Sequence, residues 1–120
     1  MKKEVYTDAV PSVPMFSQAV DIGNLVFVSG QLAKDPPEDF RAEVTQVMDQ
    51  LGEILQAAGL GYQDVVKATV FLTDMSLFKQ MNEVYMKYFP EGVKPSRSCV
   101  GVCGLAKKRA RVEIDLIVAR

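Results

Sequence analysis

The stretch that decides the fold is Lys94-Pro95-Ser96-Arg97-Ser98-Cys99-Val100, near the C-terminal end of the chain. Pro95 favours an extended backbone at Lys94. The alternation that follows predicts a strand with Arg97 and Cys99 on one face. An arginine in the middle of an apolar strand is costly to bury unless it is paired. The stretch therefore predicts a strand built around a charge that needs a partner.

A second strand is predicted at residues 109–118, where the even-numbered residues are all aliphatic. Arg111, Glu113 and Asp115 form its opposite face. The two strands look adjacent, so we expect Arg97 to share this charged face. Two helices can cover only one side of such a sheet, and the other side mixes charge with apolar area. A mixed face is a candidate for burial by another subunit, which predicts an obligate oligomer.

The composition is that of one soluble domain and excludes several function classes. The 120 residues, 48% hydrophobic and 24% charged, are enough to bury a core, and we expect a single domain over residues 1–120. A net charge of −1 supplies no basic field for general nucleic-acid binding. With no histidine, the chain lacks His-based triads and His metal sites. The basic cluster at residues 107–111 is interpreted as a solvated turn that leads into a strand.

The two cysteines, Cys99 and Cys103, indicate a reducing compartment. In a predicted strand they would be roughly 13 Å apart, which is too far for a disulfide. Two thiols without further Cys or His are also a poor zinc site, so we expect no metal. No signal peptide or transmembrane run is visible. We therefore expect no membrane association and a cytoplasmic location, and the same features leave a mitochondrial location open.

The rest of the chain alternates strand and helix patterns. A β-hairpin is predicted around Gly23-Asn24, since a β-rich apolar run follows this turn signal. Over residues 40–58 the apolar positions recur every three or four residues, as on one face of a helix. A central strand at residues 65–72 and a second helix at residues 77–88 follow. The order hairpin, α, β, α, β, β predicts an α+β domain with a mixed sheet.

Several motifs of the chain match, in order, those of a known protein family. They are Phe16-Ser17-Gln18-Ala19-Val20, Gly23-Asn24-Leu25-Val26-Phe27-Val28-Ser29-Gly30-Gln31, Asp64-Val65-Val66-Lys67-Ala68-Thr69, Asn82-Glu83-Val84-Tyr85, Pro95-Ser96-Arg97-Ser98-Cys99-Val100 and Val112-Glu113-Ile114. Over nearly its whole length the chain resembles the RidA family, also called YjgF, of reactive intermediate imine deaminases.

This resemblance implies a chorismate mutase-like fold, with two helices on one face of a six-stranded mixed sheet. It also implies a homotrimer with sites in the clefts between subunits. The implied activity is hydrolysis of 2-imino and enamino acids, such as 2-iminobutanoate and 2-iminopropanoate, to 2-oxo acids and ammonia. The implied partners are small 2-imino and 2-oxo carboxylic acids, and the reaction needs no cofactor and no metal.

Two charged residues stand at catalytic positions of the family. Arg97 occupies the carboxylate-binding position, since a guanidinium binds a carboxylate through two parallel hydrogen bonds. Its alternative is a salt bridge to Glu113 or Asp115 of the protein itself. Glu113 occupies the position that orients water at the imine carbon, a task that a raised pKa would suit. Its alternative is to pair with Arg97 or Arg111.

The remaining site candidates line the cleft of the family. The resemblance puts Phe16, Asn82, and the main chain at Cys99 and at Ser29-Gly30 next to the substrate. Gly30 would permit close approach of the backbone to a ligand. Without a histidine to activate it, Cys99 is interpreted as a small packing residue with a useful main chain, rather than as a nucleophile. A capping or helix-surface hydrogen bond explains Asn82 equally well.

The chain departs from the family pattern at Phe16, where the family has tyrosine. Phe16 lacks the phenol hydroxyl, and a lost hydrogen bond typically costs about 0.5–1.5 kcal/mol. The loop after Gln31 is also shorter than usual. These differences motivate a second hypothesis, a non-catalytic regulatory trimer that binds small carboxylates. A third hypothesis follows the family's older description as endoribonuclease L-PSP, a translation inhibitor, but the net charge and the absence of an aromatic-basic patch oppose it.

Overall fold

The computed structural model describes residues 2–120, which form one mixed sheet and two α-helices. The helices are α1 at Phe40–Ala57 and α2 at Phe78–Tyr85. The strands are β1 at Lys3–Val5, β2 at Ala19–Asp21, β3 at Leu25–Gln31, β4 at Val65–Leu72, β5 at Ser96–Gly101 and β6 at Val112–Ala119. The predicted α+β class with a six-stranded mixed sheet is confirmed. Within residues 2–120, no helix is long and apolar enough to cross a lipid bilayer.

The strand order of the sheet is β1-β2-β3-β6-β4-β5. β4 runs parallel to β5 and antiparallel to β6, and all other neighbours are antiparallel. Because β4 lies between β5 and β6, the prediction that the last two strands are neighbours is wrong. The reason is the β4–α2–β5 unit, since a strand that returns through a helix can pair in parallel with the strand that precedes the helix.

The first helix covers one face of the sheet with its apolar stripe. It begins where Asp39 accepts a hydrogen bond from the main-chain N–H of Ala42, and Gly59 follows its end with a φ of 75°. Its fully buried apolar residues join those of α2 and of the sheet in one core; they are Val44, Val47, Met48, Leu51 and Ile54. The predicted helix is confirmed. Along β6, buried residues alternate with half-buried ones, so the other face of the sheet stays uncovered.

The basic cluster before β6 is the predicted solvated turn only in part: Lys108 and Arg109 form an exposed turn that leads into β6, but several of the cations also bind protein acceptors. Lys107 and Arg109 donate hydrogen bonds to main-chain carbonyl oxygens of residues 33–36. Arg111 binds Glu43, a fully buried carboxylate of α1, through its main-chain N–H at 2.7 Å and its Nε at 2.8 Å. The loop between β3 and α1 supplies these acceptors, although Arg109 stays exposed. Arg111 therefore does not belong to the charged face of the sheet.

Candidate functional site

Arg97 lies on the face of the sheet that the helices cover. In the pairing of β5 with β4 its partner is Ala68, whose partner in β6 is Leu116. Directly paired residues share a face, and both Ala68 and Leu116 are buried in the core. Glu113 is paired with Phe71 and lies on the opposite face. The predicted common face of Arg97 and Glu113 is therefore wrong.

The error arises at β5, which is an edge strand whose aliphatic residue points outward. Alternation separates Arg97 from Val100, but it does not tell which of the two meets the helices. In the structure Val100 is 42% exposed, and Cys99 packs against the core. A cation, Arg97, thus lies on the covered side of β5. The side chains of α2 that contact Arg97 explain why it can lie there.

Three side chains of α2 hold the guanidinium of Arg97. Its Nη1 donates a 2.8 Å hydrogen bond to Oδ1 of Asn82. Its Cζ lies 4.9 Å from the ring centroid of Tyr85 and 5.7 Å from that of Phe78, within the range of cation–π contacts. We call these three side chains, together with Arg97 and Cys99, the arginine group.

No carboxylate of residues 2–120 forms an ion pair with Arg97. The ion pairs in this part of the chain join Arg41 to Glu83, Arg111 to Glu43 and Arg120 to Asp21. The structure therefore does not show the alternative of a salt bridge from Arg97 to Glu113 or Asp115. A guanidinium has five N–H donors, so donors remain for a ligand after the hydrogen bond to Asn82.

A cavity of about 340 Å³ lies beside Arg97. It is lined by Asn82, Tyr85, Met86, Phe89, Lys94, Pro95 and Arg97. No Asp or Glu among residues 2–120 contributes to this lining. A cation that borders a cavity with apolar walls and lacks a carboxylate partner is well suited to bind an anionic ligand.

The thiol of Cys99 is poorly placed to act as a nucleophile. Burial raises its pKa, and the positive charge of Arg97 opposes that shift without removing it. A raised pKa keeps the thiol protonated at neutral pH, whereas nucleophilic cysteines need the thiolate. The environment of Cys99 is thus that of a packing residue next to the arginine group.

A second cluster lies on the uncovered face, where β3 meets β6. The register of these strands shifts between Val28 and Gln31, and this bulge contains Ser29 and Gly30. A Cβ atom at position 30 would clash with Oε2 of Glu113 and would lie 2.9 Å from its Cδ. A glycine at this position therefore lets the carboxyl group pack directly against the main chain.

The environment of Glu113 favours its protonated form. Burial raises the pKa of this carboxyl group, and the neighbouring carboxylate of Asp115 raises it further. The pKa of Asp115 is also raised by burial, although the hydroxyl of Thr69 and the ammonium of Lys67 oppose the shift. A carboxyl group whose pKa moves toward neutrality is suited to accept and return a proton.

Ser29 and Phe16 complete this second cluster, which we call the glutamate group. Oγ of Ser29 donates a 2.7 Å hydrogen bond to the carbonyl oxygen of Ser17 and ties the bulge to the preceding segment. Phe16 is 57% exposed and lines, with Gly30, a shallow depression of about 140 Å³. Glu113 itself does not line this depression, and only Gly30 connects the two.

The sequence-predicted site residues thus form two groups on opposite faces of one sheet. Sequence reasoning gave no role in the site to the rings of Phe78 and Tyr85, which lie within the predicted second helix. Their spacing contained a signal, since residues at i, i+4 and i+7 share one helix face with Asn82 between the rings. Among residues 2–120 there is no cluster of three or more His, Cys, Asp or Glu side chains that could hold a metal ion.

Curated proteins similar to this chain match most or all of its length. The sequence model of the endoribonuclease L-PSP family matches residues 6–120. A RutC family protein of Pyrococcus horikoshii is 40% identical over 124 residues, which cover 98% of this chain and 97% of that protein. The 2-iminobutanoate/2-iminopropanoate deaminase of Escherichia coli K12 is 37% identical over 128 residues, which cover 100% of this chain and 99% of that protein.

Solved structures show the same relationship in three dimensions. A putative endoribonuclease of Thermotoga maritima superposes with a TM-score of 0.94 at 39% identity, covering 100% of this chain and 98% of that one. Escherichia coli TdcF with bound serine gives a TM-score of 0.92 at 36% identity, covering 98% of each chain. The chain therefore belongs to the endoribonuclease L-PSP family, the family of the RidA/YjgF proteins, and has their fold.

Proposed function

We propose that this protein hydrolyses 2-imino acids, such as 2-iminobutanoate and 2-iminopropanoate, to 2-oxo acids and ammonia. The observation that carries the proposal is Arg97, a half-buried cation that borders a cavity and has no carboxylate partner among residues 2–120. The relative from Escherichia coli that is named for this activity supports the assignment. So does the bound serine of TdcF, since serine carries the carboxylate that Arg97 is suited to bind.

The chemistry needs only the two groups already described. The guanidinium of Arg97 binds the substrate carboxylate and orients the imine carbon. Water adds to the carbon of the protonated imine while Glu113 accepts one proton from it, and the product is a carbinolamine with a neutral amine. Glu113 returns this proton to the nitrogen, the C–N bond breaks and ammonia leaves. The proton of the remaining hydroxyl passes to the carboxylate of Glu113 as the C=O bond of the 2-oxo acid forms. A carboxyl group with a raised pKa fits both halves of this exchange.

We further propose that two copies of the chain supply one site, within a homotrimer. Arg97 and Glu113 lie on opposite faces of one sheet, so a small substrate cannot touch both within one chain. A head-to-tail contact that repeats around a ring would bring the arginine group of one copy to the glutamate group of the next. The uncovered face supports such a contact, because it mixes exposed apolar side chains such as Phe27 and Val100 with charge.

A subunit-mixing experiment tests both proposals together. Arg97→Ala and Glu113→Ala are each expected to be inactive when 2-iminobutanoate is generated in situ by a dehydratase and ammonia release is followed. When the two variants are mixed and reassembled in equal amounts, random trimers that share their sites should regain about one quarter of wild-type activity.

The control for this experiment is a mixture that lacks Arg97 everywhere. Arg97→Ala is mixed with the double variant Arg97→Ala, Glu113→Ala, and no site can then combine both groups. Sedimentation shows that each variant still assembles. If the first mixture is no more active than the control, the shared site is ruled out.

A regulatory trimer that binds small carboxylates without turnover is the second candidate. The specific observation in its favour is Phe16, which is exposed beside Gly30 and lacks a hydroxyl group for a ligand. Phe16→Tyr distinguishes the two functions. For a deaminase we expect the added hydroxyl to raise kcat/KM about two- to tenfold, the worth of one hydrogen bond. Calorimetric binding of 2-oxobutanoate with no turnover in either form would favour the regulatory trimer.

A further inference from the structure

The cavity beside Arg97 is larger than a carboxylate requires. Its volume of about 340 Å³ falls at the lower end of the range for small-molecule sites. The carboxylate needs only the guanidinium edge, so most of the space remains for the rest of the ligand. This space can hold the side chain of a 2-imino acid.

The walls of this cavity favour an uncharged apolar side chain. Tyr85, Met86, Phe89 and Pro95 contribute apolar surface. Lys94 is a second cation in the lining, but it is exposed, so solvent and salt screen its charge. No carboxylate of residues 2–120 lies in the lining, so a positively charged side chain would be repelled and desolvated without a partner. A basic substrate is therefore disfavoured, whereas an aliphatic one gains from burial.

The walls differ in how firmly they are held. Tyr85 and Phe89 are 7% and 5% exposed, and their ring centroids lie 4.8 Å apart, so each fixes the other. Met86 is 63% exposed and has an unbranched, flexible side chain. It lies in the single turn of 3-10 helix that follows α2. Met86 is thus the adjustable one among the apolar walls of the cavity.

From these observations we propose that the cavity binds the side chain of the substrate, and that the preferred 2-imino acids have uncharged aliphatic side chains of about leucine or methionine size. Met86 sets the upper limit of that size. This inference rests on the proposed deaminase function, because it takes Arg97 as the carboxylate anchor. It is separable from that function, since side-chain preference can be measured by binding as well as by turnover.

The test compares imines generated in situ from alanine, leucine, phenylalanine and lysine by a broad-specificity amino acid oxidase with catalase. Each methylene moved from water into an apolar wall contributes about a factor of four. We therefore expect kcat/KM for the leucine-derived imine to exceed that for the alanine-derived imine by at least about tenfold. The lysine-derived imine should be the poorest of the four.

Two substitutions then change the adjustable wall in opposite directions. Met86→Trp fills the cavity and should lower the leucine-to-alanine ratio at least about fivefold. Met86→Ala enlarges it and should raise the phenylalanine-to-leucine ratio. Met75→Trp is the matched control, because Met75 is also exposed but does not line the cavity. A ratio that stays constant across all three variants, or a wild type without preference, overturns the side-chain proposal and leaves the deaminase function intact.

Calorimetry covers the case in which wild-type protein hydrolyses none of these imines. The probes are 2-oxopropanoate and 4-methyl-2-oxopentanoate, which share the carboxylate and differ in side chain. Tighter binding of the larger acid, lost in Met86→Trp, would support the side-chain proposal while the deaminase function fails. Equal affinities for the two acids, or affinities that do not respond to Met86→Trp, would overturn the side-chain proposal.

Discussion

The arginine group and the glutamate group are held by different kinds of support. Arg97 is surrounded by its own chain, with Asn82 as hydrogen-bond acceptor and two aromatic rings of α2 beside it. Glu113 packs against the main chain at Gly30 and faces a side of the sheet that α1 and α2 leave uncovered. It follows that the proposed carboxylate recognition by Arg97 depends on packing within one chain, whereas the surroundings of Glu113 depend on what covers the open face.

The two groups also differ in how they respond to pH. The guanidinium of Arg97 stays protonated throughout the range in which proteins are stable. The pKa of Glu113 is raised by burial and by Asp115, so its charge changes closer to neutral pH than that of an ordinary glutamate. In the proposed mechanism, Arg97 is therefore a permanently charged anchor, and Glu113 is a proton acceptor whose charge depends on pH.

Of the substitutions that distinguish the two groups, Arg97→Ala should have the largest effect on activity. Hydrogen bonds to charged groups contribute about 1.5–3 kcal/mol each, so losing a bidentate pair should lower kcat/KM about 100-fold or more. Arg97→Lys keeps the positive charge but not the parallel pair of donors, and should recover only part of the loss. The coupled dehydratase assay measures both. Wild-type activity in Arg97→Ala would remove Arg97 from the mechanism.

Glu43→Ala should produce the largest effect on stability. The substitution should loosen the start of β6, the strand that carries Glu113. The buried carboxylate of Glu43 binds Arg111, the residue directly before β6. Breaking a buried ion pair costs about 3–5 kcal/mol, so the free energy of unfolding in urea should fall by about 3 kcal/mol. Arg41→Ala is the control, since its pair with Glu83 is exposed and should contribute at most about 1 kcal/mol. Equal losses in the two variants would contradict the structural role of Glu43.

Gly30→Ala should impair the glutamate group and leave the arginine group largely unchanged. The added Cβ would force the carboxyl group of Glu113 away from the bulge. Because a misplacement of about 1 Å can cost up to 100-fold in rate, we expect kcat to fall about 10- to 100-fold. Calorimetric affinity for 2-oxobutanoate, which reports on Arg97, should change much less. A parallel loss of affinity and rate would show that the groups are not independent.

Glu113→Gln should have the smallest effect, a change in the pH dependence of stability. The folded pKa of Glu113 lies above its unfolded value, so the folded chain binds the proton more tightly. This tighter proton binding stabilises the folded state. The stabilisation is fully present below the pKa of Glu113 in the unfolded chain and is lost as pH rises through its pKa in the folded chain. Glu113→Gln should therefore raise Tm relative to wild type at neutral pH and have little effect at pH 3. A lower Tm at neutral pH would contradict the assigned direction of the pKa shift.

Local patterns in the sequence were sufficient for the type and order of the main helices and strands. The helical period over residues 40–58 predicted α1, and the β-branched run at 65–72 predicted β4. These predictions succeed because hydrophobic periodicity is a property of neighbouring residues, which burial of one face enforces directly. Recognition of the motifs identified the family, and with it the expected site residues.

The partition of those residues between the faces required the tertiary structure. Alternation established only that Arg97 and Val100 point in opposite directions, while the choice of covered face followed from pairing of β5 with β4 rather than with β6. The partners of Lys107, Arg109 and Arg111 likewise lie in a loop about 70 residues away in sequence. Which groups meet is decided by contacts between distant segments, and a local pattern holds no information about the energies of those contacts.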